Sequence, residues 1–116
     1  MFNAEGMKIL FYSKPIDMRN SIDGLSMKVS QYLCCEVKSG TFYVFYNKGK
    51  DKLKILYWER NGFCLWYKRV EKQRFKIPEM SETGIELTIQ QLRWILDGLD
   101  YTKLQGHKPL KYSVYY

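Results

Sequence analysis

The middle of the chain constrains the fold more than any other part of the sequence. It contains three segments rich in aromatic and β-branched residues, which favour strands: TFYVFY (41–46), LKILYWE (53–59) and FCLWYKRV (63–70). Polar turn residues separate the segments. Gly49 is free to adopt a positive φ in the first turn, and Asn61-Gly62 favours a type I′ hairpin in the second. The pattern predicts an antiparallel β-meander.

The faces of this meander are mixed in polarity. Side chains alternate between the two faces of a strand, so in residues 53–59 one face carries Leu53, Ile55, Tyr57 and Glu59, and the other carries Lys54, Leu56 and Trp58. Neither face is wholly polar. The pattern therefore leaves open which face packs on the rest of the protein and which presents aromatic rings.

A first strand and a first helix are predicted before the meander. Residues 7–13 (MKILFYS) form a short apolar run that Pro15 ends or places near an edge, which favours a strand. In residues 20–33, apolar side chains recur at helical spacing, and Asn20 followed by Asp23 resembles a capping box. We expect a helix there.

The clearest helix is predicted near the C-terminus, over residues 87–99. Thr88 is the expected N-cap, and Gln91 three residues later completes a capping box. Leu87 and Leu92 suit a hydrophobic staple, and Gly98 lies near the natural stop. Before this helix, residues 72–76 are expected to lead into a short extended piece closed by Pro78, and residues 79–86 are expected to form a loop.

The predicted order of elements is β-α-β-β-β-α. It indicates an α+β fold in which two helices pack on an antiparallel sheet. A chain of 116 residues favours one domain, which we place at residues 1–100. Residues 101–116 are then a C-terminal tail, either a loose extension or a late edge strand.

The excess positive charge is concentrated in the meander. The whole chain has a net charge of +7, and residues 41–76 hold ten basic and three acidic side chains, so the rest of the chain is balanced. Such clustering favours a polyanionic partner more strongly than a diffuse excess would.

The residue types that carry catalysis form no recognisable set. The one histidine, His107, lies in the polar tail without partners for a triad or a metal site, and Asp17 and Asp23 suit a turn and a helix cap. The three cysteines lack the paired spacing of a zinc site. We therefore expect no catalytic residue, no metal, no cofactor and no enzymatic activity from the chain by itself.

The sequence also predicts the compartment. The N-terminal stretch lacks the charged, apolar and small-residue regions of a signal peptide, and no apolar run approaches the roughly 20 residues that span a bilayer. An odd number of cysteines gives no disulfide framework. We expect a cytoplasmic protein that does not engage a membrane.

Three motifs resemble one known family. KDKLKILYWERNGFCLWYKRVEKQRFKIP (50–78) resembles the accessory "TnpB" proteins encoded by the second open reading frame of the IS sixty-six family of bacterial insertion sequences, which are not the RNA-guided nucleases of the same name. PIDMRNSIDGL (15–25) looks like that family's P-x-D-M-R-K-x-F-D-G-L segment, with Asn20 and Ile22 replacing its usual Lys and Phe. ELTIQQLRWILDGLD (86–100) looks like its C-terminal helix.

The resemblance implies an accessory protein of transposition. Such a protein acts with a separate, larger transposase that carries the strand-transfer residues. The family supplies no catalytic residue or cofactor to transfer to this chain.

Charge and resemblance together suggest a non-catalytic factor that binds DNA, at the ends of the insertion sequence, through a basic aromatic β-hairpin. The predicted nucleic-acid-binding residues are Arg19, Lys50, Lys52, Lys54, Trp58, Arg60, Trp66, Lys68, Arg69 and Arg74. Tyr57 and Tyr67 would add aromatic surface. The alternative is a protein–protein adaptor whose aromatic face docks on the transposase. The sequence leaves the oligomeric state open.

Overall fold

The predicted meander is present and forms one side of a five-stranded sheet. The computed structural model describes residues 6–33 and 39–105. Its elements are β1 (Lys8–Phe11), α1 (Ile22–Leu33), β2 (Thr41–Tyr46), β3 (Lys52–Glu59), β4 (Gly62–Arg69), β5 (Ile85–Leu87), α2 (Ile89–Leu96) and α3 (Tyr101–Gln105). The strands lie in the order β4-β3-β2-β1-β5. The predicted α+β class is confirmed.

The sheet is mixed, whereas the sequence predicted an antiparallel one. β1 pairs with β2 in parallel, and α1 is the crossover that parallel neighbours require. β5 pairs antiparallel with β1 at the far edge, within a segment expected to be a loop. Residues 70–84, all of which the structure describes, contain no strand, so the short extended piece expected before Pro78 does not join the sheet. A strand of three residues is too short to show an alternating pattern in the sequence. β5 forms because it pairs with β1, which lies far away in the chain.

Both faces of the sheet are covered. The α1-side cluster contains Tyr12, Ile16, Leu25, Val29, Tyr43, Phe45 and Leu56. The α2-side cluster includes Ile9, Phe11, Phe42, Val44, Leu53, Ile55, Phe75, Leu92, Ile95 and Leu96. Because β2 lies between the two clusters, all six of its residues are buried. This explains why TFYVFY is a continuous apolar run instead of an alternating one.

The β3–β4 hairpin turns one residue earlier than predicted. Glu59 pairs with Gly62, so the two-residue loop is Arg60-Asn61. The positive φ, 55°, belongs to Arg60 and not to Gly62. The indole N–H of Trp58 donates to the Arg60 carbonyl (3.2 Å) and supports this turn. Core-facing side chains set the strand register, and the register then places the turn.

The β2–β3 turn also uses an unexpected residue. Its positive φ, 59°, belongs to Lys50 and not to Gly49. Asn47 holds the turn together, because its Oδ1 accepts hydrogen bonds from the backbone N–H groups of Asp51 (3.1 Å) and Lys52 (3.0 Å). A short polar side chain thus replaces backbone ladder bonds at this end of the sheet.

The predicted N-cap of α2 is confirmed, and the helix runs from Ile89 to Leu96 instead of over residues 87–99. The Thr88 hydroxyl accepts from the Gln91 N–H, and the Gln91 side chain accepts from the Thr88 N–H, which completes the capping box. The helix ends at Leu96 because Gly98, with a φ of 83°, donates its N–H to the Ile95 carbonyl. This is the left-handed C-terminal geometry that glycine favours.

The segment predicted as a tail begins with α3. Tyr101, its first residue, is buried in the α2-side cluster. The remainder of the predicted tail, including His107, lies outside the described residues, as do Cys34 and Cys35.

Candidate nucleic-acid interface

Six basic side chains gather at one end of the sheet, where two turns meet. Backbone hydrogen bonds from Val70 N to Asp51 O (2.9 Å) and from Phe75 N to Lys50 O (2.8 Å) join the β2–β3 turn to the segment after β4. Phe75 is 1% exposed and anchors that segment. We call this surface the basic end; it consists of Lys48, Lys50, Lys52, Arg69, Lys72 and Arg74. Its two acidic residues are Asp51 and Glu71, so four positive charges remain in excess.

Asp51 is held as an anion inside the basic end. Its carboxylate accepts a hydrogen bond from Asn47 Nδ2 (2.7 Å) and lies 3.6 Å from Lys52 Nζ. The pKa of Asp51 is lowered, first by the Asn47 hydrogen bond and further by the charges of Lys52 and Arg74. This carboxylate therefore organises the turn and stays ionised at neutral pH.

The remaining cations of the basic end face solvent. Arg69 Nε donates to Glu71 (2.8 Å), and this hydrogen bond raises the pKa of Arg69. An exposed ion pair of this kind contributes about 0–1 kcal/mol and exchanges readily for another anion. Lys50, Lys72 and Arg74 are exposed and form no ion pair with any residue that the structure describes.

Two of the predicted DNA-binding lysines are fastened to backbone carbonyls. Lys54 Nζ donates to the carbonyls of Met18 and Asn20, at 2.8 Å each, and so ties β3 to the segment before α1. Lys68 Nζ donates to the Leu96 carbonyl (2.8 Å) at the C-terminus of α2, on the other face of the sheet. A cation at a helix C-terminus is stabilising because it meets the negative end of the helix dipole. Both ammonium groups have internal partners.

Arg19 lies on the segment that leads into α1, between the two residues whose carbonyls bind Lys54 Nζ. Its side chain is 91% exposed and pairs with Asp17, which accepts hydrogen bonds from Nε and Nη2. The pKa of Asp17 is lowered to about 2, chiefly by the hydrogen bond from the Arg19 side chain. The same pair raises the pKa of Arg19.

Two of the predicted aromatic residues are part of the packing against α2. Tyr57 and Trp66 are half-buried against the α2-side cluster, and the Tyr57 ring lies 4.9 Å from that of Phe42. Part of each side chain is therefore taken up by packing on this face of the sheet.

The exposed aromatic surface lies on the opposite, α1-facing side of the hairpin. Trp58 and Phe63 form a T-shaped pair across β3 and β4, with ring centroids 4.9 Å apart and an interplanar angle of 85°. Arg60 extends from the adjoining turn and is exposed. We call Trp58, Arg60 and Phe63 the hairpin tip. Tyr67, 48% exposed, lies farther along β4 on the same face.

The basic end and the hairpin tip lie at opposite ends of β3 and β4. Lys52 pairs with Arg69 at one end, and Glu59 pairs with Gly62 at the other. Seven residue steps of roughly 3.3 Å place them about 23 Å apart. The single basic aromatic surface that the sequence predicted is therefore two surfaces, joined by the edge strand β4.

The structure adds three residues to the candidate interface that the sequence-based prediction did not include. Lys48 and Lys72 belong to the basic end because the two turns meet, which no spacing along the chain shows. Phe63 was missed because its strand has aromatic residues on both faces, and only the packing of α1 and α2 shows which of them are exposed.

Within residues 6–33 and 39–105, no group of three or more His, Cys, Asp or Glu side chains could hold a metal ion. Each helix in the same ranges is too short or too polar to span a bilayer.

Comparison with known families identifies the family of this small α+β protein. Residues 7–106 match the family described as "IS66 Orf2 like protein", and the chain belongs to that family. It is similar to two proteins of Sinorhizobium fredii strain NGR234. It is 28% identical to "Uncharacterized protein y4jC", with 93% of this chain and 92% of the relative covered. It is 25% identical to "Uncharacterized protein y4hO", with 85% and 86% covered. No solved structure matches the chain significantly.

Proposed function

We propose that this chain is a non-catalytic accessory protein of transposition that binds DNA. The proposal assigns the strand-transfer chemistry to the element's separate transposase. The observation that carries it is the basic end, where two turns from different parts of the chain place six cations around two carboxylates that already have partners. The DNA backbone is the polyanion that best matches such a surface, because its phosphates can be neutralised by these cations.

Exposure and pairing divide the basic residues of the candidate interface into two groups. The proposed phosphate contacts are the exposed members of the basic end: Lys48, Lys50, Arg69, Lys72 and Arg74. Lys54 and Lys68 are excluded from this group, because a phosphate contact would require each to leave a carbonyl that it already binds. Arg60 at the hairpin tip is about 23 Å away and would contact a different part of the same DNA.

The test is binding of the purified protein to fluorescent duplexes by anisotropy across a salt series. One duplex carries the element's terminal repeat, and the other carries the same bases scrambled. If about four phosphates are neutralised, the slope of log K against log salt is about −3.6, at roughly −0.9 per phosphate. A preference for the terminal repeat that survives higher salt would add base or shape readout.

A charge-matched pair of variants locates the surface. The double substitution Lys72→Ala with Arg74→Ala should reduce the slope to about −1.8, because two phosphate contacts are lost. The control, Arg93→Ala with Lys103→Ala, removes two exposed cations on α2 and α3 and should leave the slope near that of the unmodified protein. Equal losses in both variants would mean that net charge, and not the basic end, drives binding.

The same experiment also tests the alternative role, a protein–protein adaptor that docks on the transposase. No binding to either duplex at about 50 mM salt would refute DNA binding by the isolated protein. Co-purification with the transposase from nuclease-treated lysate would then favour the adaptor role, with the hairpin tip as the docking surface.

A further inference from the structure

The edge strand β4 carries a row of partly exposed side chains on the α1 side of the sheet. In chain order the row is Phe63, Leu65, Tyr67 and Arg69, and we call it the β4 row. Phe63 is 40% exposed and Tyr67 is 48% exposed. They are the two aromatic residues among the large apolar side chains exposed in the described part of the chain. Both therefore lie on one face of one edge strand.

Neighbouring side chains hold both rings in place. Lys54 Nζ lies 5.6 Å from the centroid of the Tyr67 ring, and Lys54 is itself fixed by two backbone carbonyls. The cation lies over the ring, and Tyr67 as a whole remains 48% exposed. Phe63 packs perpendicular to the Trp58 ring. Rings that are already ordered lose little conformational entropy when a ligand stacks on them.

The spacing of the row suits an extended single strand. Alternate residues of an antiparallel strand are about 6.8 Å apart, because each residue advances by about 3.4 Å. Nucleotides of duplex DNA advance by about 3.4 Å along each strand. A DNA strand that follows the row one nucleotide per alternate residue is therefore stretched to about twice its duplex rise, which only an unpaired strand can accommodate.

The chemistry of the row also favours unpaired bases. Aromatic side chains bind single strands by stacking on base faces, and those faces are inaccessible within a duplex. The row ends at Arg69, a member of the basic end, and begins beside Arg60 of the hairpin tip. Cations at both ends can follow the backbone of a strand whose bases lie on the rings.

We propose that the β4 row is a stacking platform for single-stranded DNA. Bases stack on Phe63 and Tyr67, and the backbone phosphates pass to Arg69 and the basic end. This inference rests on the proposed function and adds an unpaired strand to the DNA that the protein recognises.

The experiment compares two double variants that differ in whether the rings are retained. Phe63→Leu with Tyr67→Leu removes both rings and keeps apolar bulk. Phe63→Tyr with Tyr67→Phe keeps both rings. Each is titrated with fluorescein-labelled oligothymidine of about 12 nucleotides, within the usual length of single-strand sites, and with a mixed-sequence duplex of the same length. Circular dichroism checks that both variants are folded.

We expect the leucine variant to lose affinity for oligothymidine by about 5-fold or more for each ring, the loss that stacking of about 1 kcal/mol per base or more implies. Its affinity for the duplex should change by less than about 2-fold, and the ring-retaining variant should bind both probes like the unmodified protein. Unchanged oligothymidine binding by the leucine variant, or equal losses for both probes, would overturn the platform while leaving DNA binding by the basic end intact. If the unmodified protein bound neither probe, the proposed function would fail as well.

Discussion

Replacing Lys68 separates a structural role from a DNA-binding role at the most basic stretch of β4. Lys68 and Arg69 are adjacent in sequence but point to opposite faces of the strand. Lys68 donates to the Leu96 carbonyl at the end of α2, whereas Arg69 pairs with exposed Glu71. We therefore expect Lys68→Met to reduce stability with little effect on DNA binding. Arg69→Ala should weaken DNA binding with little effect on stability.

The expected loss follows from the contact that is removed. A hydrogen bond with one charged partner contributes about 1.5–3 kcal/mol, and the interaction with the helix C-terminus adds about 0.3–1 kcal/mol. Lys68 is only half-buried, so water can replace part of the lost interaction energy, and the lower end of these ranges applies. Methionine keeps the apolar stem of the side chain, so packing is largely retained. The free energy of unfolding should fall by roughly 1–2 kcal/mol.

Urea unfolding followed by circular dichroism measures this difference directly. For Arg69→Ala the exposed ion pair predicts a change of about 0–1 kcal/mol, together with weaker duplex binding. If Lys68→Met unfolded at the same urea midpoint as the unmodified protein and instead weakened DNA binding as Arg69→Ala does, the assignment of Lys68 to α2 would be refuted. The sequence-based prediction that Lys68 binds DNA would then stand.

Two further predictions concern the backbone and pH. Gly84 has a φ of 90°, and a Cβ there would collide with the Phe11 carbonyl beside β5, so Gly84→Ala should lower the free energy of unfolding by roughly 1–3 kcal/mol. Gly62→Ala, with open space and no positive φ, should be nearly neutral in the same unfolding assay, and a large loss there would restore the predicted type I′ turn. The pKa of Asp17 is lowered to about 2 from 3.8, so its pair with Arg19 stabilises the fold above about pH 4 and loses that effect as pH falls toward 2. Unfolding measured from pH 5 to pH 2 should therefore show a shallower pH dependence for Asp17→Asn than for the unmodified protein, and identical profiles would contradict this.

Local patterns in the sequence were sufficient for much of the fold. The meander was predictable because aromatic and β-branched runs alternate with polar turns within 30 residues. The Thr88 capping box was predictable because all its atoms lie within four consecutive residues. The parallel pairing of β1 with β2 and the existence of β5 were not, because each depends on a partner distant in the chain.

The candidate site shows the same division. From the sequence, the excess positive charge could be placed in residues 41–76, but not the surface on which each cation lies. Lys54 and Lys68 look like their basic neighbours along the chain. Only the packing of the segment before α1 and of the end of α2 brings carbonyls within 2.8 Å of their ammonium groups.

The sequence by itself determined the strands of the meander, the capped start of α2 and the family resemblance, because these depend on residues close together in the chain. The tertiary structure alone decided that both faces of the sheet are covered, that two turns converge into the basic end, and that Phe63 and Tyr67 are left exposed. Those outcomes depend on which helix lies over which face, and the alternation of side chains along a strand carries no information about that choice.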